Sequence, residues 1–326
     1  MTSPHAREEP PAPRASPLDD LAVLRFDGPD AATFLQGQLS SDVAALVPGA
    51  LQRSSYNSPK GRMLASLVLA RPAGTDAFHA VLAADLAASI ARRLGMYVLR
   101  AKVTVTSLAS ERALVGVSGP GASNAVHAAL GVAVAAGAAV AQGDLVLLGL
   151  PEGRVLVEAP AGAQAATLAR LAPHAATGTT DDWRRAGIRA GVPLVTSATS
   201  DQFVPQALNF DALDGISFRK GCYPGQEIVA RTHYLGRLKE RLYAFAAGIE
   251  PPAPGTRLHA ASFGDQPCGT VVDSVADAGG ASLLAVVQRA AAETDVVHVG
   301  ALDGPPLTLL PLPYPVPEPA PRERLR

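Results

Sequence analysis

The run Lys220-Gly221-Cys222-Tyr223-Pro224-Gly225-Gln226-Glu227 brings an ammonium, a thiol, an aromatic ring, an amide and a carboxylate into one short stretch, the densest chemistry in the chain. Pro224 suits the first position of a helix, where its missing N–H would be unpaired anyway. Glu227 follows three residues later, where a carboxylate meets the positive helix end. The spacing predicts a helix entered at Pro224 and continued through Ile228, Val229, Ala230 and Arg231. A cysteine just outside such a terminus, beside Arg219 and Lys220, has two electrostatic reasons for a lowered thiol pKa. Cys222 and Lys220 are therefore a candidate functional thiolate pair. The alternative is a tight strand-to-helix turn holding an inert, buried cysteine.

The rest of the chain sets bounds. Its 326 residues exceed a usual single core, so two or three domains are expected. Hydrophobic residues make up 48% and charged residues 17%, a globular composition whose apolar excess is mostly alanine. Pro, Gly or charge interrupts every apolar run before the roughly 18 to 20 residues that a spanning helix needs, so no membrane association is expected. Residues 1–17 are rich in Pro and Ala and lack the apolar stretch of a secretory signal; they read as a disordered tail, and the cytoplasm is the expected location. With only Cys222 and Cys268, there is no disulfide framework and no set of four thiolates for an iron-sulfur cluster, so no permanently bound metal is expected. The net charge of −1 lacks the basic excess that phosphate-backbone binding relies on, which disfavours direct contact with tRNA or DNA.

The elements that must position the octet follow from periodicity. A strand over 22–26 leads through Gly28-Pro29 into a helix with Ala31, Phe34, Leu35 and Leu39 near one face. Strands over 51–57 and 62–70 flank the turn Ser58-Pro59-Lys60-Gly61. A strand over 77–82, a helix over 84–94 and a strand over 102–106 complete an α+β unit. A second strand-Gly-Pro-helix unit, 113–117 followed by Ser118-Gly119-Pro120-Gly121, suggests an internal repeat; two independent helix starts explain it equally well. Strands over 144–148 and 154–158 and a helix over 163–171 follow. The Gly119-Pro120-Gly121 string is a poor dinucleotide motif, because Asn124 replaces the third glycine and Asp144 starts the next strand instead of ending it. Beyond about Arg237, short strands at regular spacing (238–246, 257–259, 269–275, 282–288, 296–299, 307–310) predict a small antiparallel barrel, with Cys268 a packing residue at a strand edge.

The octet, read as K-G-C-Y-x-G-Q-E, resembles the signature of the YgfZ family of folate-binding proteins, relatives of the glycine-cleavage aminomethyltransferase. The similarity extends through Phe203-Val204-Pro205-Gln206-Ala207-Leu208-Asn209, Gly215-Ile216-Ser217-Phe218, Phe34-Leu35-Gln36-Gly37-Gln38, Pro59-Lys60-Gly61-Arg62 and Pro311-Leu312-Pro313-Tyr314, so it spans residues 18–314. It implies an α+β, three-domain aminomethyltransferase-like fold: two related α+β domains and a C-terminal antiparallel β-barrel around a central cavity. The implied limits are a first, discontinuous folate-binding domain over 18–110 plus 195–237, a second over 111–194, the barrel over 238–314 and a tail over 315–326.

The resemblance also implies a ligand, tetrahydrofolate or a one-carbon derivative. Its pterin, benzoate and anionic tail need flat surfaces, paired donors and acceptors, and a cation. Tyr223 or Trp183 could stack; Gln206, Asn209, Gln226 or Glu227 could read the pterin edge; Arg231 or Arg237 could face the carboxylates. Trp183 matches a position the family uses for folate. Leu21, in Leu18-Asp19-Asp20-Leu21, stands where relatives can carry a second tryptophan; it can cover a pterin but cannot stack on it. Aminomethyltransferases carry acidic residues after the first hairpin turn, whereas Lys60 to Leu67 holds no carboxylate near Ala65 and Ser66, and losing a positioned acid or base removes about 10²- to 10⁴-fold of rate. The implied function is an accessory protein for iron-sulfur cluster assembly or repair that affects tRNA modification indirectly. Its implied partners are folate and iron-sulfur client or assembly proteins, and the protein itself is expected to be a monomer. The alternative is a folate-dependent one-carbon transferase.

Overall fold

The computed structural model describes residues 12–234 and 238–317. It is built on three sheets. Strand β1 (Arg14–Pro17) belongs to the second of them, and the chain then crosses to the first. That first sheet comprises β2 (Leu21–Asp27), β3 (Ala50–Asn57), β4 (Met63–Arg71), β5 (Phe78–Ala83) and β6 (Thr104–Ser107), in the antiparallel order β3-β4-β5-β2-β6. Helices α1 (Ala31–Gln36) and α2 (Ala84–Gly95) cover one face, burying Phe34, Leu35, Leu86, Ile90 and Leu94 against Leu24, Phe26, Leu67 and Leu69. Strands β4 and β5 are buried almost throughout because both faces are covered, which is why they read as continuous apolar runs.

The second sheet adds β7 (Arg112–Ser118), β8 (Ala139–Gln142), β9 (Leu145–Gly149), β10 (Val155–Pro160) and β11 (Ala176–Thr177), in the order β11-β1-β7-β10-β9-β8. Helices α3 (Ala122–Leu130) and α4 (Gln164–Leu171) pack on it. Helix α5 (Thr180–Arg189) follows, opened by a capping box in which Thr179 and Asp182 satisfy each other's backbone donors. The strand-Gly-Pro-helix unit occurs in both halves, with Gly28 and Gly119 at positive φ. Residues 14–17, expected in a disordered tail, are instead strand β1, paired antiparallel to β7 and parallel to β11. Their backbone supplies the hydrogen bonds that the edge of β7 would otherwise leave open, and Ala15 and Ser16 are buried there.

Between the two sheets lies a separate apolar cluster that mixes Val23, Leu51, Ala70 and Val81 of the first with Leu114, Leu148, Leu156 and Trp183 from the second half. Residues 195–217 return to the first sheet: Val195 N–H donates to Ser66 Oγ (2.9 Å), Met63 N–H to the Phe203 carbonyl (2.8 Å) and Ser40 Oγ to the Gly215 carbonyl (2.6 Å). They lead into α6 (Gln226–Tyr234).

The C-terminal sheet contains β12 (Glu240–Ala247), β13 (Arg257–His259), β14 (Gly269–Asp277), β15 (Gly280–Gln288), β16 (His298–Val299) and β17 (Thr308–Leu310), with α7 (Arg289–Thr294) after β15. The order β16-β13-β14-β15-β12-β17 is antiparallel throughout. It curls as a half-barrel, and its edges are linked because Leu307 N–H donates to the Val297 carbonyl (2.8 Å) and Val299 N–H to that of Pro305 (3.0 Å). Cys268 is buried in this core, where desolvation pushes its thiol up to about 11. No helix among the described residues is long and apolar enough to cross a membrane.

Candidate functional site

Lys220 is buried, and its ammonium donates to the carbonyls of Gln36 (2.6 Å), the last residue of α1, and of Leu39 (2.6 Å) and Ser41 (2.8 Å) just beyond it. Three donors meet three acceptors, so none is left for a thiolate. Desolvation lowers its pKa to about 8, the direction opposite to that wanted of a fixed cation. The paired reading of Cys222 and Lys220 therefore gives way: Cys222 is exposed, while Lys220 anchors its own loop to the first sheet.

The rest of the octet is seated by backbone fit. Gly61, at the tip of the β3–β4 hairpin, and Gly225 approach so closely that a Cβ on Gly225 would stand 2.5 Å from Gly61 Cα, and both have positive φ. Pro224 and Gly225 form this turn, and the helix begins at Gln226 instead of Pro224, because the turn is needed to clear the hairpin. The Tyr223 ring lies under the Lys220 ammonium (5.2 Å to the centroid); its hydroxyl is buried without a partner, and desolvation pushes it up to about 12. Gln206 donates to the Val229 carbonyl (2.6 Å) and Asn209 to that of Leu242 (3.0 Å), tying α6 and β12 to the 3-10 turn Pro205–Leu208. Gln226 reaches the Lys220 carbonyl at 3.4 Å, whereas Glu227 and Arg231 are exposed. Arg237 lies outside the described residues.

None of these described residues lines the cleft formed where the first two sheets meet α5 and β14, which is open to solvent and spans about 680 Å³ when its solvent-filled mouth is included. Leu67, Val68, Val81, Leu82, Leu156 and Leu194 wall it, and both Leu21 and Trp183 line it. Trp183 is 5% exposed and lies against Gly116 of β7, where any Cβ would stand 2.3 Å from its Cε3. The Arg154 guanidinium lies over the indole, 4.2 Å from the ring centroid, so the stacking partner expected of a ligand is here an arginine.

Three arginines line the cleft, each paired with an acid. Arg154 donates to Glu152 (2.6 Å), and Arg53 pairs with the other oxygen of the same carboxylate. Burial alone would raise the Glu152 carboxyl, but Arg154 and Arg53 outweigh it and hold the group below its usual range. Arg184, on α5, pairs with Asp273 and donates to the Ser274 carbonyl (3.0 Å). A β-bulge at Val272 inserts one extra residue opposite β15, and Asp273 follows it into the cleft. Burial raises the Asp273 carboxyl despite Arg184, and raises that of Asp20 as well. Asp20 is half-buried at the end of the segment entering β2, and its Oδ1 has no hydrogen-bond partner. Ser66, on β4, faces the same cleft.

Sequence reasoning missed Arg53, Arg154, Arg184, Asp20 and Asp273, which come from five separate segments. The only local signal was the capping pattern Thr179-x-x-Asp182, which marks the helix carrying Trp183 and Arg184.

No protein-family model matches the chain. Among curated proteins it is 35% identical over 309 residues to the tRNA-modifying protein YgfZ of Sodalis glossinidius (89% of this chain, 91% of the relative). It is 33% identical over 304 residues to that of Edwardsiella ictaluri (90% of each). Among solved structures, the glycine cleavage system aminomethyltransferase T from Bartonella henselae superposes with a TM-score of 0.72 at 18% identity, covering 93% of this chain and 86% of that one, which establishes the aminomethyltransferase-like fold.

Proposed function

The chain belongs to the YgfZ family, and from that membership and its arginine-lined cleft we propose that it binds a reduced folate and acts as an accessory protein for iron-sulfur enzymes. The observation that carries the reading is the meeting of Leu21, from the first sheet, with Trp183, from α5, in one apolar cleft rimmed by Arg53, Arg154 and Arg184. The residues present fit the ligand class. Aliphatic walls suit a flat ring and a benzoate, guanidinium groups suit carboxylates, and the unpartnered Asp20 Oδ1 suits an N–H edge. Tetrahydrofolate supplies a carrier for one-carbon units; the chain's part is to bind and orient it and to exclude water. In the same reading the three sheets are the cores of three units around a central cavity, with 195–237 completing the first, which the bonds from Val195, Phe203 and Gly215 to that sheet support.

The exposed Cys222 is then a thiol presented to a client or assembly protein on a loop fixed by Lys220. The relatives' names point to tRNA modification; with a net charge of −1, the effect on tRNA is indirect, through an iron-sulfur enzyme in the cytoplasm.

The test has two arms. Tetrahydrofolate should change the emission of Trp183, the single tryptophan, in a saturable way, and the protein should restore iron-sulfur enzyme activities in cells lacking their own copy. A saturating titration by calorimetry that shows no binding would sink the folate reading, and failure to restore those activities would sink the accessory role.

A further inference from the structure

Asp20 has a geometry that neither packing nor ion pairing explains. Its main-chain carbonyl accepts from Ala84 N–H (2.9 Å), which fixes the backbone beside the first sheet, and the side chain lines the cleft. The Oδ1 atom is shielded from solvent yet accepts no hydrogen bond. A buried, unsatisfied carboxylate oxygen is costly and is seldom kept where nothing uses it. Arg184 is the cation that acts on it most, but that guanidinium is already committed to Asp273 and the Ser274 carbonyl.

We infer that Asp20 is the specificity-determining residue of the cleft: its carboxylate accepts hydrogen bonds from an edge of adjacent ring N–H and amino groups on the ligand, as a pterin presents. This deepens the folate reading and rests on it. Arg53, Arg154 and Arg184 are already ion-paired and favour any anion alike; Asp20 selects for the ring. A heterocycle with only carbonyl oxygens on that edge would meet a second acceptor and be rejected.

A pH dependence follows. Burial raises the Asp20 carboxyl; Arg184 on α5 and a hydrogen bond from the main-chain N–H of Asp20 itself oppose this, and Asp273 on β14 and the neighbouring Asp19 add to it, while Arg53 and Arg154 also line the cleft. A carboxylic acid cannot accept two donors as a carboxylate does. A ligand with an N–H edge therefore binds the ionised form, and the proton held by Asp20 passes to solvent on binding. Affinity falls as pH drops below the raised Asp20 value.

The experiment is calorimetric binding of tetrahydrofolate, and of its analogue lacking the 2-amino group, to the full chain and to Asp20→Asn and Asp20→Leu. Tetrahydrofolate should bind both variants about ten-fold or more weakly, while the analogue binds wild type and Asp20→Asn alike. Wild-type affinity should fall with acid and that of Asp20→Asn should not. Unfolding midpoints at or above wild type for Asp20→Leu would show that the loss is not a folding defect. Tetrahydrofolate binding within two-fold of wild type in both variants, or an identical pH profile in Asp20→Asn, overturns the role of Asp20 and leaves the folate reading standing. Should a variant fail to fold, the wild-type pH profile and proton release, read in two buffers, decide the matter alone. If the wild type does not bind tetrahydrofolate, both readings fall.

Discussion

The Arg154 guanidinium lies over the Trp183 indole and also donates to the Trp183 carbonyl (3.3 Å), so one arginine holds both the ring and the backbone of the helix that carries it. Gly187, one turn further along α5, makes room: a Cβ there would stand 3.2 Å from Arg154 Nη1. Arg154→Met keeps an unbranched apolar stem and deletes the guanidinium, leaving Glu152 to Arg53 alone. The expected result is a changed Trp183 emission and a loss of about 2–3 kcal/mol in urea unfolding, because the buried carboxylate keeps only half of its compensation. Unchanged emission with unchanged stability would show that the contact carries no energy.

Gly116 tests the same ring from the β7 side. Gly116→Ala places a methyl carbon within 2.3 Å of Cε3. The indole must move, and overpacking of this kind costs about 1–3 kcal/mol. A lowered melting temperature together with weakened tetrahydrofolate binding is expected. Gly95→Ala, at the end of α2 with open space around it, is the control and should be neutral or slightly stabilising.

The octet supplies a separable pair of variants. Lys220→Met strands two buried carbonyls and a partly buried one and should cost about 2–4 kcal/mol, read as a fall in the denaturant midpoint. Cys222→Ser, at an exposed position, should leave the midpoint unchanged and lower only the activity of iron-sulfur clients. Equal stability of the two variants would remove the anchoring role given to Lys220.

Much of this architecture is legible in the sequence because its pairings are local. The Ser58-Pro59-Lys60-Gly61 turn forces β3 onto β4, and the apolar spacing of α2 shows its buried face. Strand β1 is illegible, since residues rich in Pro and Ala become a strand only when β7, about a hundred residues later, offers them an edge. The cleft is hidden for the same reason. Leu21 and Trp183 were singled out by resemblance, but the arginines and acids around them are single residues brought together by crossings between sheets and by one bulge at Val272. The octet misled because chemical density in sequence says nothing of direction: the Lys220 ammonium turns inward to carbonyls while the Cys222 thiol faces out.

The last prediction concerns acid. Glu158, on β10, is fully buried and joins the two α+β halves: it meets His79 of β5 at 2.8 Å and accepts from Arg112 Nε at 2.7 Å. Burial alone would raise its carboxyl, but His79 and Arg112 together hold it below the ordinary value of 4.5. The folded state therefore releases this proton more readily than the unfolded chain. In the window below about 4.5 the unfolded chain binds more protons, so stability rises with pH there and is lost as pH falls through the folded value. Glu158→Gln removes that term. The variant should be about 2–4 kcal/mol less stable at pH 7, with the gap to wild type narrowing steadily toward pH 3 in urea unfolding. A gap that stays constant across this range would mean that the Glu158 carboxylate carries no charge-dependent share of the contact between the halves.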